Sequence, residues 1–443
     1  MLGAPGWRTP VALNLILMTA GSYGDVQPFL VLARSLKDRG HRVLLAAEGV
    51  HEPMVRDAGL EFSALTKVRA ARLSQRSGLV RALRRYWMVE GFTGWLHRRD
   101  WLLGLTEPAF ELIASRRRLG DTVVVGKATI FGARLAHEKL AVPLVTVHLT
   151  PGTIRSEYDA PGLPLPNGRT VPYRLMKRCA WALIDGYVRL VVEPGMNRIR
   201  AGLDLPPLRR PLMRWMNSPD LALGLFPAWY AEPQPDWPPN FHAVGFPLAP
   251  PGTQGSTLPD GLEAFLDAGE PPVVFTVGSA GRDVERFFRV SVEACVRSGR
   301  RALLQTTRTG VIPPRLPETI QHFPYMPYGS VFPRAAAVVH NGGIGTTARA
   351  LAAGIPQIIM PIAEDHRENG RRVRRLKAGT VIHGSSYSVA TLNRQLQRLL
   401  DSAAVAEACS RFRERIAPTN PIDESCLRIE EFARQHYAGA ECE

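Results

Sequence analysis

The chain has 443 residues, 45% hydrophobic and 21% charged, the balance of a soluble globular protein long enough for two domains with separate cores. Its formal net charge of +15 favours polyanionic partners, and with no nucleic-acid module in the sequence, anionic lipid or phosphorylated substrates are favoured over nucleic acid. Five scattered cysteines without a C-x-x-C suggest neither a disulfide framework nor a zinc site, and no apolar run reaches the roughly 18 residues of a membrane span.

Residues 11–19 read as a strand buried on both faces. The run resembles a signal peptide after Arg8, but Asn14 interrupts it and the fold needs these residues as its first strand, so a cytoplasmic protein is expected. Ala20-Gly21-Ser22-Tyr23-Gly24-Asp25-Val26-Gln27-Pro28 follows, then a helix to about residue 39, Gly40 as its cap, and a second strand over 41–47. This βαβ unit opens a Rossmann-like half. It lacks the dinucleotide fingerprint: G-x-G-x-x-G needs a glycine where Ser22 or Tyr23 stands, and without it Glu48 has no claim as a ribose-binding acid. Asp25 fits two readings, which one residue can combine. It is a cap or first-turn acid of a helix beginning near Val26, or a general base at the carboxyl edge of a parallel sheet, where open α/β sheets bind ligands.

Over 67–101, Lys67, Arg69, Arg72, Arg76, Arg81, Arg84, Arg85, Arg98 and Arg99 interleave with Trp87, Phe92, Trp95 and Trp101. Such a stretch suits peripheral contact with an anionic membrane, an apolar acceptor pocket, or a solvated helical excursion over the sheet edge. Further strands are expected over 122–125 and 143–147, with a helix over 131–140 between them; His148 either faces a cleft or packs. Residues 151–172 are proline-rich and read as an acceptor loop. Proline is dense again over 204–211 and 226–251, and a flexible run follows to Thr257. The domains expected are therefore an N-terminal one over 1–248, a linker over 249–262, a C-terminal one over 263–418, and a helix within 419–443 returning to the first domain.

The second half restarts the alternation with a strand over 272–277 ending in Gly278-Ser279-Ala280-Gly281, a helix over 284–298 and a strand over 301–306. Phe323-Pro324-Tyr325-Met326-Pro327 offers stiff backbone to a flat ring. An apolar strand over 335–339 then breaks into His340-Asn341-Gly342-Gly343-Ile344-Gly345-Thr346-Thr347, a helix ending at Gly354, and another strand over 355–361. The three glycines bring backbone close just before a helix whose first-turn N–H groups are unpaired. Those groups, the helix dipole and the Thr346 and Thr347 hydroxyls suit a diphosphate. Tight packing accounts for such glycines equally well, and His340 is either at the edge of this site or a satisfied core histidine. Helices over 388–416 and 423–437 close the chain.

Two Rossmann-like halves facing across a cleft, with a proline-rich hinge, describe an α/β protein of GT-B architecture. Gly21-Ser22-Tyr23-Gly24-Asp25-Val26-Gln27-Pro28 and His340-Asn341-Gly342-Gly343-Ile344-Gly345-Thr346-Thr347 resemble the signatures of the family 1 inverting, nucleotide-sugar-dependent glycosyltransferases, which include sterol glucosyltransferases and antibiotic-aglycone enzymes. Gly132-Ala133-Arg134-Leu135-Ala136-His137-Glu138-Lys139, Leu225-Phe226-Pro227-Ala228-Trp229 and Gly245-Phe246-Pro247-Leu248 resemble the rhamnolipid-type rhamnosyltransferase catalytic subunit. The resemblance implies that Asp25 stands where many members have the catalytic base, a place held by histidine in plant-type enzymes. It implies a donor site of His340, Gly342, Gly343, Gly345, Thr346 and Thr347 around the diphosphate, Ser279 reaching the phosphates, and Met326 contacting the nucleobase through its backbone. Asp365 matches the aspartate of an Asp-Gln pair that binds donor-sugar hydroxyls; here His366 replaces the glutamine.

The expected reaction is inverting transfer of a hexose or deoxyhexose, rhamnose or glucose, to the hydroxyl of a lipophilic acceptor such as a hydroxy-fatty acyl chain or a sterol. No D-x-D occurs in the sequence, and no cofactor or metal is expected beyond the nucleotide-sugar co-substrate. A catalytically silent relative that binds or activates another transferase is the competing reading, and a nicotinamide oxidoreductase the third.

Overall fold

The computed structural model describes residues 12–65, 87–158, 163–164, 170–171, 173–248, 258–277, 283–308, 310–362 and 364–440. Contacts divide it into two compact units, Met1–Val244 with Ile422–Glu443, and Gly245–Pro421.

The first unit is built on a parallel sheet of β1 (Asn14–Met18), β2 (Arg42–Ala47), β3 (Glu61–Ala64), β4 (Thr122–Lys127), β5 (Leu144–His148), β8 (Leu221–Gly224) and β9 (Phe241–Ala243), in the order β3-β2-β1-β4-β5-β8-β9. The continuous apolar runs follow from helices on both faces. Leu15, Leu17, Val123 and Val125 enter one core, while Ile16, Met18, Val124 and Leu144 enter the other. The chain runs outward from β1 to β3 and then returns to β4, so its topological switch point lies between β1 and β4. A small antiparallel pair, β6 (Leu163–Pro164) and β7 (Thr170–Val171), lies within the proline-rich loop.

The second unit has β10 (Val273–Thr276), β11 (Ala302–Gln305), β12 (Ile320–Phe323), β13 (Ala337–His340), β14 (Gln357–Ile359) and β15 (Gly379–Val381), ordered β12-β11-β10-β13-β14-β15 and all parallel. Its switch point lies between β10 and β13, where Thr276 is in register with His340.

The helix Pro421–Ala440 buries Ile422, Cys426, Ile429 and Ala433 in a core of the first unit, each large apolar side chain contributing about 1.5–3 kcal/mol. Arg39 donates to Asp423 and Glu430 at 2.7 Å each, and the Tyr437 hydroxyl donates to the Thr122 carbonyl at 2.6 Å. The expected linker is shorter at its C-terminal end. Leu258 packs on, and Leu262 lies within, a core of the second unit, because a helix already begins at Leu262. Residues 249–257 lie outside the described residues.

Candidate active site

The loop after β1 enters the helix Tyr23–Asp38 three residues before the expected start at Val26. The physical reason is the cap: Ser22 is the N-cap, and Asp25, at the third helical position, accepts from the Ser22 N–H at 2.7 Å and its hydroxyl at 2.9 Å. Asp25 is thus a first-turn acid whose side chain is still 28% exposed. Its other oxygen, Oδ1, accepts from Lys127 Nζ at 2.5 Å; Lys127, the last residue of β4, also donates to the Ala20 carbonyl at 3.1 Å. Burial alone would push the Asp25 carboxyl up. The Lys127 charge and hydrogen bond, with the bonds from Ser22, outweigh it and hold the carboxyl below its ordinary value, so it is ionised at neutral pH.

Gly21 has φ +130°, and a Cβ there would come within 2.4 Å of Asp25 Oδ2, so only glycine lets the carboxylate lie back on the loop. Buried Glu48 holds that loop: its carboxylate accepts from the Gly21 N–H at 2.8 Å and from Trp101 Nε1 at 3.1 Å. His51 Nε2 donates to the Gly21 carbonyl at 3.1 Å. Glu48 is therefore a loop-holding acid, a role not legible in the sequence.

In the second unit the turn after β13 is organised from inside. His340 is fully buried: Nδ1 accepts from the Gly342 N–H at 3.1 Å, which leaves the Nε2 proton to donate to Gln357 Oε1 at 3.0 Å. Burial lowers its pKa to about 4, with the Gln357 hydrogen bond opposing, so the ring is neutral. Of the two sequence readings the structure shows the core histidine; with both ring nitrogens engaged, His340 shapes the turn and does not present its ring at the surface of the site. Gly342 has φ +94°, and a Cβ there would sit 2.7 Å from Ile359 Cγ2 and 3.0 Å from the His366 carbonyl. Buried Asn369 donates to the Gly342 carbonyl at 2.9 Å.

The helix Ile344–Ala353 starts directly after this turn, and Gly354 ends it at φ +72° as a left-handed cap. The N–H groups of Ile344, Gly345 and Thr346 have no acceptor within the helix, while Thr347 donates to the Gly343 carbonyl at 3.0 Å. Gly345 is exposed, Gly343 and Thr346 are half-buried, and the buried Thr347 Oγ1 has no hydrogen-bond partner among the described residues. The result is a cluster of outward backbone donors at a positive helix end, suited to an anion.

Met326 is buried among Phe323, Val331 and Phe332, anchoring the loop beside exposed Tyr325. Behind it the Thr276 hydroxyl donates to Gln305 Oε1 and lies within hydrogen-bond distance of the Tyr328 hydroxyl, at 2.7 Å each. Asp365 is half-buried on the helix Glu364–Arg375, and His366 Nε2 lies 3.9 Å from its carboxylate. Burial lowers the His366 pKa, against the Asp365 charge, and its Nδ1 is a buried atom without a partner among the described residues. His148 is buried with Nδ1 at 3.0 Å from Thr153 Oγ1 and Nε2 at 2.9 Å from Asn217 Oδ1, so it packs. Ser279 and residues 67–86 of the basic stretch lie outside the described residues. Among the described residues, no helix is long and apolar enough to cross a membrane.

Sequence reasoning missed Lys127, Glu48, Gln357 and Asn369. The available signals were slight: a lysine ending the run Val123-Val124-Val125-Gly126, and a glutamine inside an apolar strand.

Two doubly wound parallel sheets, each with a polar turn at its switch point, make this a two-domain Rossmann-like protein of the GT-B fold. A model of the glycosyltransferase family 28 N-terminal domain matches residues 15–158, and one of the erythromycin biosynthesis protein CIII-like C-terminal domain matches residues 304–430. The chain is 31% identical to O-mycaminosyltylonolide 6-deoxyallosyltransferase of Streptomyces fradiae, over 95% of this chain and 98% of that one. It is 27% identical to the sterol 3-beta-glucosyltransferase UGT80A2 of Arabidopsis thaliana, over 89% of this chain and 62% of the relative. The glycotransferase of kitacinnamycin shares the fold with a TM-score of 0.71 at 20% identity, over 96% of this chain and 99% of that one. For the glycosyltransferase VinC in complex with DTDP the TM-score is 0.69 at 16% identity, over 96% and 100%. The chain belongs to the family 1 GT-B glycosyltransferases, enzymes that move a sugar from a nucleotide sugar to an acceptor.

Proposed function

We propose that the enzyme transfers a hexose or deoxyhexose, rhamnose or glucose, with inversion and without a metal, from a nucleoside diphosphate to the hydroxyl of a lipophilic acceptor. In this reading the acceptor oxygen attacks the anomeric carbon as the carbon–oxygen bond to the diphosphate breaks. The acceptor proton passes to Asp25, and the diphosphate leaves with the bonding electrons. A carboxylate of depressed pKa serves because the proton becomes strongly acidic only as the new bond forms. Leaving-group charge is met by the N–H groups of Ile344, Gly345 and Thr346 and by the Thr346 and Thr347 hydroxyls. Charge-assisted bonds of this kind are worth about 1.5–3 kcal/mol each, enough to replace a metal when several converge.

Ser279 is assigned to the phosphates, the Met326 backbone to the nucleobase, and Asp365 with His366 to the sugar hydroxyls. The names of the relatives support the substrate classes: one is a 6-deoxyallosyltransferase and another acts on a sterol. The single observation that carries the reading is the turn itself, whose buried His340, Gln357 and Asn369 hold the glycines while the first-turn N–H groups remain unengaged within the helix.

A panel of nucleotide sugars, each scored for nucleoside diphosphate release with hydroxy-fatty acyl and sterol acceptors, tests it. Release is expected for at least one pair and is expected to persist in EDTA. Binding of nucleotide sugars with no release in any pair would favour the silent-relative reading. Because His366 stands in place of the expected glutamine, His366→Gln should change the ranking of donor sugars more than total affinity for the nucleotide.

A further inference from the structure

We infer that Lys127 is a positioning residue for Asp25, fixing the direction and the ionised state of the carboxylate that takes the acceptor proton. The inference rests on the reading of Asp25 as that base. β1 and β4 are neighbours, with Met18 in register with Gly126, so the next residue along β4 lies beside the point where the chain leaves β1. Lys127 is that residue. Its side chain is only 15% exposed, and an ammonium so far out of water needs a partner of opposite charge. Asp25 Oδ1, at 2.5 Å, is that partner, and the Ala20 carbonyl at 3.1 Å fixes the lysine from a second side.

The carboxylate is then held at both oxygens. Oδ2 accepts from the N–H and hydroxyl of Ser22, and Oδ1 accepts from Lys127. A carboxylate offers about four lone-pair sites, so three donors leave one for an acceptor hydroxyl. Glu48 and His51, from the segment after β2, bond Gly21 on its N–H and its carbonyl, and so support the loop. The charge that bears on the Asp25 carboxylate itself comes from Lys127.

A purely structural role for the ion pair would be to pin the loop through Ala20. That role predicts lost stability and, at a pH where the carboxyl is ionised with or without the cation, an unchanged kcat. A positioning role predicts both a lower kcat and a displaced acid limb, because without the cation only the Ser22 hydrogen bonds oppose burial, which pushes the carboxyl up.

The test is the pH dependence of kcat/KM in the full chain for wild type, Lys127→Met, Lys127→Arg and Asp25→Asn, using a donor and acceptor pair that supports diphosphate release. UDP or dTDP affinity and the melting temperature are measured beside it. Wild type is expected to keep its acid limb below about pH 4, the ordinary carboxylate range. Lys127→Met should move that limb up by about 1–3 pH units, while Lys127→Arg, which keeps the charge, should restore it. At pH 8, where the carboxyl is ionised in every variant that keeps it, Lys127→Met should still lose on the order of tenfold in kcat with KM little changed, a fraction of the ~10²–10⁴ that a base contributes.

Wild-type kcat and an unmoved limb in Lys127→Met, with Asp25→Asn inactive, would overturn the inference and leave the base in place. Wild-type turnover in Asp25→Asn would remove the base reading and this inference with it. If Lys127→Met does not fold, Lys127→Gln, which keeps a donor for Ala20, is measured in its place against the same outcomes.

Discussion

The turn carrying Asp25 and the turn carrying Gly342 solve the same local problem with opposite chemistry. Each leads from a strand at its sheet's switch point into a helix, and each contains a glycine of positive φ, Gly21 at +130° and Gly342 at +94°, where a Cβ would strike a neighbour. The first is held by charged groups, namely Asp25 against Lys127 and Glu48 against the Gly21 N–H, and its carboxylate stays partly wet. The second is held by neutral, buried ones, His340, Gln357 and Asn369. The difference fits the proposed division of labour. A proton acceptor has to be ionised and reachable, whereas an anion cradle has to offer backbone donors, with its organisers turned inward.

The comparison breaks most visibly at Asp25. Asp25→Asn should lower turnover by about 10²–10⁴ while nucleotide diphosphate affinity, measured by calorimetry, stays within a few-fold. Gly342→Ala should do the reverse. Left-handed strain of about 1–3 kcal/mol and the clash with Ile359 should destabilise the second unit and abolish nucleotide binding, read by melting and calorimetry.

Acid should separate the units from their organisers next. Burial holds His148 and His340 at about 4, below the ordinary 6.5, so between these values the unfolded chain takes up a proton that the folded one refuses. Stability is complete above about pH 6.5 and is lost as the pH falls towards 4, by up to about 3 kcal/mol per histidine; melting temperatures between pH 7 and 4.5 check it.

Gln357→Leu should cost about 1–3 kcal/mol by stranding the buried His340 Nε2 proton, and should weaken nucleotide binding with it. The smallest effect is expected at Glu430, whose carboxyl the Arg39 hydrogen bond holds below its ordinary value against burial, with help from His41. A lowered folded pKa means that its contribution, about 1 kcal/mol, is present above the unfolded value and fades as the pH drops through the folded one. Glu430→Gln should remove it at pH 7.

The fold was legible because parallel strands covered on both faces are unbroken apolar runs, and this chain writes them between glycines and prolines. Asp25 and the glycines of the second turn were visible for a related reason: backbone that must bend sharply or cap a helix restricts residue type locally. Their supports were not visible. Lys127 is 102 residues from Asp25, Gln357 is 17 from His340 and Asn369 is 27 from the glycine it holds, so only the paired strands, and for Asn369 the helix that follows β14, bring them together. The earlier helix start has the same lesson at short range, since the reciprocal Ser22 and Asp25 bonds, and not the apolar spacing, decide where the first turn begins.

The central claim is a direct displacement assisted by one base, and the anomeric configuration of the product tests it most directly. Proton NMR of the glycoside formed from an α-linked nucleotide sugar should show the β-anomer and no α-anomer at early times. A product that keeps the donor's configuration would contradict the account, because retention requires a second displacement or a front-face path in which Asp25 has no place.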